Sequence, residues 1–571
     1  MTAARVAVLG GGVGGLSAAH ELVERGFSVD VYERRPIAAA GGKARSIKVP
    51  NSATGRRRPL PGEHGFRFFP GFYKHLPDTM KRIPFKGQRD GVFANLVPAS
   101  EGQFAGADFT ISVPASLPDT IDEVGMALLT AIDSIQTDVP PHEVAFFVHR
   151  LLILLTTGDR RRLAELENTD WREFVAADRH SKAYNKYLAD GMTRSLVAAR
   201  ANEISTRTCG LTLLQLLGCF QPGRQFDRLL NGPTNDVWID PWVAHLRGRG
   251  VRFHDRSEVV AINCTGARIT GIGVVGPAGP STVTADYYVA AVPVERMVKL
   301  ITPALTAADR SLSRLSRLET RWMNGIQFYL DRPLPLVRGH IIYQDSPFSL
   351  TSVSQAQFWK GFDFTKVGDG NVRDILSVDI SDWTTEGMVF GKPAMELTPD
   401  QIREEVLTQL DDALNENELQ FPRDAVITHF LDEDIVQEPS GGLSNAEPLL
   451  INTSGSWYNR PEATTGVENL FLAADYVRTH TDLATMEGAN EAARRAVNGI
   501  LGVEQSKGRM IDQADCEIWP LEEPPILEPL RKLDDELFDA GLPHPKSLIP
   551  DALEEKVAEG ILALASMFRI F

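Results

Sequence analysis

The start of the chain constrains its fold more than any other stretch. Arg5 to Leu9 reads R-V-A-V-L, a short buried strand, and is followed at once by G-G-G-V-G-G. There Gly10, Gly12 and Gly15 fill a G-x-G-x-x-G pattern, with Val13 and Gly14 inside the turn. Ser17 to Arg25 predicts a helix closed by Gly26, Phe27 to Tyr32 predicts a second strand, and Glu33 stands at its end. Each part has a physical role. Gly10 permits a sharp turn, Gly12 lets backbone approach a pyrophosphate, and Gly15 lets helix pack on strand. The helix start offers free N–H groups to phosphate, and Glu33 can accept bonds from a ribose diol. The pattern predicts a dinucleotide site rather than a glycine-rich turn without a ligand.

A second glycine pair follows in Gly41-Gly42-Lys43-Ala44-Arg45-Ser46, close to Arg34. Two glycines allow close passage, and a guanidinium can clamp phosphate through two bonds. This segment resembles the GGxxR[ST] motif of the amine oxidase and carotenoid desaturase superfamily. The resemblance implies FAD, with Arg34, Gly41, Gly42 and Lys43 along it and Arg45 near the pyrophosphate and flavin. Far downstream, N-L-F-L-A-A-D ends at Asp475 and A-T-M-E-G-A spans Ala484 to Ala489. This is similar to the desaturase C-terminal signature, except that Ala474 replaces the usual glycine. By that likeness Asp475 holds the ribityl or phosphate part of FAD, and Met486, Glu487 and Gly488 start a helix under the ring. Val259 matches the valine whose backbone lies beside the adenine.

The expected fold is α/β: a discontinuous Rossmann-like FAD-binding domain (1–100, 235–310 and 465–504) with an inserted substrate domain. The insertion has a helical part (101–234) and a mixed-sheet part (311–464), and an acidic extension covers 505–571. Gly325 to Leu330 alternates with period two, which predicts a half-buried strand, and Ile375 to Val378 predicts another.

Substrate-facing candidates follow. Pro61 to Tyr73 is rich in glycine and phenylalanine and resembles a flavin-adjacent segment of plant and cyanobacterial type phytoene and zeta-carotene desaturases. Aligned on Glu63, Gly65, Gly71 and Tyr73, Arg67 takes the place of the family histidine and Pro70 that of its second phenylalanine, while His64 sits three positions earlier. His64, Arg67 and Glu487 are the candidates for managing a proton or a developing charge. Tyr343, Phe358 and Trp359 are candidates for an apolar tunnel wall, with core packing as the alternative. The greasy run Phe146 to Leu155, followed by Arg160-Arg161-Arg162, reads as a buried helix or as a membrane-interface helix.

No G-x-S-x-G, H-E-x-x-H or C-x-x-C occurs, so hydrolytic and metal chemistry are not expected. Four scattered cysteines exclude a disulfide framework. A net charge of -16 argues against nucleic acid, though -9 of it lies in residues 511–571, where 14 acids face 5 bases. A helix over Leu553 to Phe571 is expected to dock on the body, cap a tunnel or bind a partner. No signal peptide or apolar span is read, so a cytoplasmic location is expected, with peripheral membrane contact open. The reaction expected is hydride transfer from an apolar, isoprenoid-like substrate to FAD, forming C=C. The alternatives are an amine oxidase, with Lys360, Trp457 and Tyr458 as its candidate residues, a lipid isomerase or saturase, and a non-catalytic FAD-containing module. Electron acceptor (oxygen, quinone or protein) and oligomeric state are left open.

Overall fold

The computed structural model describes residues 3–99, 101–105, 139–191, 193, 199–218, 227–415, 419–439, 441–508, 514–523 and 525–545. Residues 553–571, where a C-terminal helix is expected, lie outside this set.

A five-stranded sheet carries the nucleotide end. Its order is Leu470–Leu472, Tyr287–Ala290, Arg5–Leu9, Ser28–Tyr32, Arg252–His254, and every pairing is parallel. The strands come from three distant segments of the chain. The inner strands are apolar and buried beneath helices, while the edge strand Arg252–His254 is polar and partly exposed. The helix Val13–Glu24 packs between this sheet and the long helix Met486–Ser506, where Asn490 Nδ2 donates to Ser17 Oγ at 2.8 Å. It begins at Val13, not Ser17, since Gly14 and Gly15 form its first turn with no side chain to hold it off neighbouring backbone. An antiparallel meander of Glu258–Thr265, Arg268–Gly276 and Gly279–Val283 stands beside the sheet.

The second sheet has six strands, in the order Val426–Leu431, Asn324–Leu330, Asp374–Ile380, Thr351–Ser354, Gly339–Tyr343, Glu101–Ala105. All pairings are antiparallel except the last. The alternation in Asn324–Leu330 is real, but the strand is buried on both faces, not one. Phe328 and Leu330 pack with the helix Pro399–Leu414, while Tyr329 packs with Leu60, Phe66 and Val353. Tyr343, Phe358 and Trp359 are core residues of these two clusters and do not line the cavity that opens at the carboxyl ends of the parallel strands.

The helix Pro141–Thr156 is mostly buried in a helical cluster with Trp171, Tyr184 and Leu213. The arginines after it do not form a free basic surface. Arg161 Nε meets Asp534 Oδ1 at 3.0 Å, Arg162 Nη1 meets Glu523 Oε1 at 2.6 Å, and Arg160 pairs with Asp539. Acidic residues of the C-terminal segment, whose helix Glu528–Asp539 packs on Pro141–Thr156, thus claim the cations. Among the described residues no helix is long and apolar enough to cross a membrane.

Candidate functional site

The carboxyl ends of the parallel strands open on a cavity of about 550 Å³. That is the size of a small-molecule site, at the edge of a sheet where such ligands bind. The cavity runs from the glycine turn to the second sheet.

At the first end backbone makes the wall. Gly10 has φ +107°, and a Cβ there would stand 2.6 Å from Ala291 O. A Cβ on Gly14 would lie 2.0 Å from Ala473 O, and one on Gly15 2.0 Å from Gly10 O. Gly12 differs: its Cβ would meet only Gly42, at 3.6 Å, so no protein atom demands a glycine there. Gly12 lines the cavity, and its missing side chain widens the space at the helix start. No side chain caps that helix and no acid sits in its first turn, which leaves its N–H groups for an anion. The second glycine pair lies against the first: Gly41, with φ +110°, bridges to Gly12 and donates to Gly11 O at 3.0 Å.

Glu33 is nearly buried at its strand end and accepts from Gly11 N at 2.7 Å and Arg35 N at 2.8 Å. Arg34, Lys43, Val259, Asp475 and Met486 all line the cavity. Arg34 pairs with Glu447, and Lys43 donates to Pro448 O. Ala474 also lines the wall, so a methyl is accommodated at that point. The open helix start, the space at Gly12, the terminal acid and the basic wall residues fit a dinucleotide.

Two expected members turn elsewhere. Arg45 is 1% exposed and lies off the cavity wall. Its Nη1 donates to Gly42 O at 2.8 Å and its Nη2 to Asp434 Oδ2 at 2.6 Å, so buried partners claim the guanidinium expected to clamp phosphate. Glu487 is also off the wall. Its oxygens accept from the backbone N–H of Lys74, His75 and Leu76 and lie 2.8 Å from His75 Nδ1. It caps the helix His75–Arg82 instead of facing a ring. Burial would raise its pKa, but His75 and those N–H groups hold it below the usual range.

At the far end side chains make the wall. Phe66, Phe68, Phe72, Leu216 and Met323 give it an apolar lining, and His64 and Arg67 break it. Arg67 donates to Gly65 O at 2.9 Å, Phe66 O at 3.1 Å and Lys43 O, tying the phenylalanine segment to the second glycine pair. His64 Nδ1 lies 2.6 Å from Asp432 Oδ2 and 3.5 Å from Asp434 Oδ2. Burial opposes its charge, but the two carboxylates prevail and hold its pKa above the histidine norm. Glu63, accepting from Thr234 N and Oγ1, is pushed up to about 7 by burial. Asp379, Asp432 and Asp434 are members that sequence reasoning missed. The acids of Leu431-Asp432-Glu433-Asp434 were a visible signal, but nothing local said what they face. Lys360, Trp457 and Tyr458 do not line the cavity, and Trp457 lies under Arg207, Arg460 and Arg478.

Comparison with known proteins gives a consistent picture. The profile of the family described as flavin containing amine oxidoreductase matches residues 13–501. Zeta-carotene desaturase from Synechocystis sp. is 23% identical over 526 residues, covering 87% of this chain and 97% of its own. 15-cis-phytoene desaturase from Synechococcus elongatus is 23% identical over 506 residues, covering 87% and 96%. Among solved structures, putrescine oxidase bound to putrescine has a TM-score of 0.57 at 14% identity, covering 87% of this chain and 99% of its own. Cyclohexylamine oxidase from Brevibacterium oxydans has a TM-score of 0.57 at 15% identity, covering 88% and 100%. At such identities the solved structures establish the shared fold.

Proposed function

The chain belongs to the flavin containing amine oxidoreductase family, and from that premise we propose that it forms C=C bonds in an apolar, isoprenoid-like substrate. Membership makes it a flavin oxidoreductase, and the dinucleotide fingerprint makes the flavin FAD. When bound, FAD supplies the two-electron oxidant. The chain's own residues bind, orient and exclude water. The turn from Gly10 to Gly15 and the helix start receive the pyrophosphate, with Gly41, Gly42, Arg34 and Lys43 opposite. Glu33 receives the ribose diol, Val259 lies at the adenine, and Asp475 and Met486 serve the ribityl and ring end.

One observation carries the substrate reading. The cradle continues without a break into a wall of Phe66, Phe68, Phe72, Leu216 and Met323, which suits a hydrocarbon chain and keeps water from the reacting carbons. The desaturase names of the curated relatives support the same class. The test uses FAD-loaded protein without oxygen, offered zeta-carotene or phytoene in detergent micelles, or putrescine. The expected result is loss of flavin absorbance with the polyenes and a product with a longer conjugated system. Reduction by putrescine and by neither polyene overturns the reading.

A further inference from the structure

The strand Asp374–Ile380 brings one acid to the substrate end of the cavity. Asp379 is 8% exposed and lines the wall beside Gly65 and Arg67. The chain makes room for it on two sides. A Cβ on Gly65 would stand 2.5 Å from Asp379 Oδ1, and one on Gly325 3.1 Å from it. Phe66 N–H bonds to the carboxyl, but among the described residues no donor reaches Oδ1. A buried carboxylate oxygen without a donor is costly unless something else uses it.

The other ionisable groups named at this end are poorly placed to take a proton: Glu63 lies off the cavity wall and is bound by Thr234. Arg67 is a guanidinium and carries no lone pair to offer. His64 Nδ1 is taken by Asp432 and Asp434, whose carboxylates favour its protonated form. Glu487 faces away. We infer that Asp379 is the proton acceptor of the reaction, the carboxylate that takes H⁺ from the substrate carbon next to the one giving up hydride. This rests on the C=C-forming reading above. Two C–H bonds on adjacent carbons break. One hydrogen leaves as hydride with its electron pair and reduces the flavin. The other leaves as a proton to Asp379, and the electron pair it abandons becomes the π bond. Asp379 ends as a neutral acid and returns its proton to solvent.

The surroundings suit this role. Burial pushes the Asp379 carboxyl up to about 6 against the pull of Arg67, His64 and His340, the basic side chains that face it from the 64–67 loop and the strand Gly339–Tyr343. His340 is itself paired with Asp227 at 2.7 Å, and His64 with Asp432 and Asp434. The group is thus ionised at neutral pH yet a stronger base than an exposed aspartate, as general-base work needs.

The experiment compares wild-type, D379N and D379E holoenzymes with a polyene that reduces the wild type. Wild-type flavin reduction should rise with pH through about 6. D379N should keep its FAD but fall about a hundredfold or more and lose that limb. D379E should recover part of the rate with the limb shifted. Infrared difference spectra between acid and neutral pH, without substrate, should show one fewer protonated carboxyl in D379N than in the wild type. The inference is overturned if D379N keeps both rate and limb, or if its infrared spectrum matches the wild type. If D379N does not fold, D379E decides: an unchanged limb overturns it, a shifted one supports it. If no polyene reduces the wild type, the C=C reading itself fails and this role with it.

Discussion

Where the parallel strands end, the cavity wall is backbone: Gly10 and Gly14 are fixed by carbonyls within 2.6 Å of any added Cβ. At the second sheet the wall is side chain: Phe66, Phe68, Arg67, His64 and Asp379, with His64 held by Asp432 and Arg67 by Lys43 O from elsewhere in the chain. The first end tolerates little change because backbone cannot move aside. The second can be retuned one residue at a time.

The largest expected effect lies where the two ends join. Asp434 pairs with Arg45 and Arg35, each at 2.6 Å, and these cations together with His64 hold its carboxyl far below the usual range against the opposing effect of burial. Asp434→Ala strands buried charge and should cost about 3–5 kcal/mol in denaturant unfolding. Unfolding within about 1 kcal/mol of wild type would mean the joint is not what holds the two ends together.

Next comes pH. With a folded pKa of about 7 against 4.5 for the free group, Glu63 is bound more tightly by the fold as a neutral acid. Its contribution is greatest below 4.5 and is lost as pH rises to about 7, up to about 3 kcal/mol. Glu63→Gln keeps the shape and should flatten that decline, read from unfolding midpoints across the range. An equal slope in both proteins would assign the decline to another group.

Gly14→Ala tests the backbone end. The collision with Ala473 O should cost about 1–3 kcal/mol and appear as flavin lost from the purified protein. Full occupancy would show that this wall can yield. The smallest effect is expected at the side-chain end. Phe68→Leu should leave flavin content intact and raise KM for the polyene by up to about tenfold, within about 1.5 kcal/mol. A fall in flavin content instead would blur the division between the ends.

This division also explains what could be read in advance. The turn, helix, second strand and Glu33 fall within one short stretch, so their chemistry follows from order and spacing alone. Asp475 and Met486 were found through a likeness to a desaturase signature, and both line the cavity. Asp379 lies in Ile375-Leu376-Ser377-Val378-Asp379, which reads as an ordinary strand, and only the pairing with Asn324–Leu330 brings it to Gly65. Arg45 was placed correctly along the chain but not in its contacts, since its partner Asp434 is 389 residues away. Glu487 sits at the expected helix start, yet the helix His75–Arg82 decides which way its carboxylate points. Alternation in Asn324–Leu330 revealed two faces but could not show that both would be covered.

The parallel sheet, assembled from three distant segments, sets a schedule for synthesis. Met486, which starts the helix that covers Val13–Glu24, follows Leu16 by 470 residues. At about 5–20 residues per second, the fingerprint helix leaves the ribosome roughly half a minute to a minute and a half before its cover. Through that interval Gly14, Ser17 and Glu21, which meet Ala489, Asn490 and Arg494 in the finished protein, have no permanent neighbour on that side. A nascent chain of this kind depends on protection while it waits. One released before residue 470 carries the whole fingerprint and still lacks the edge strand Leu470–Leu472 and the wall at Ala473 that complete the pocket.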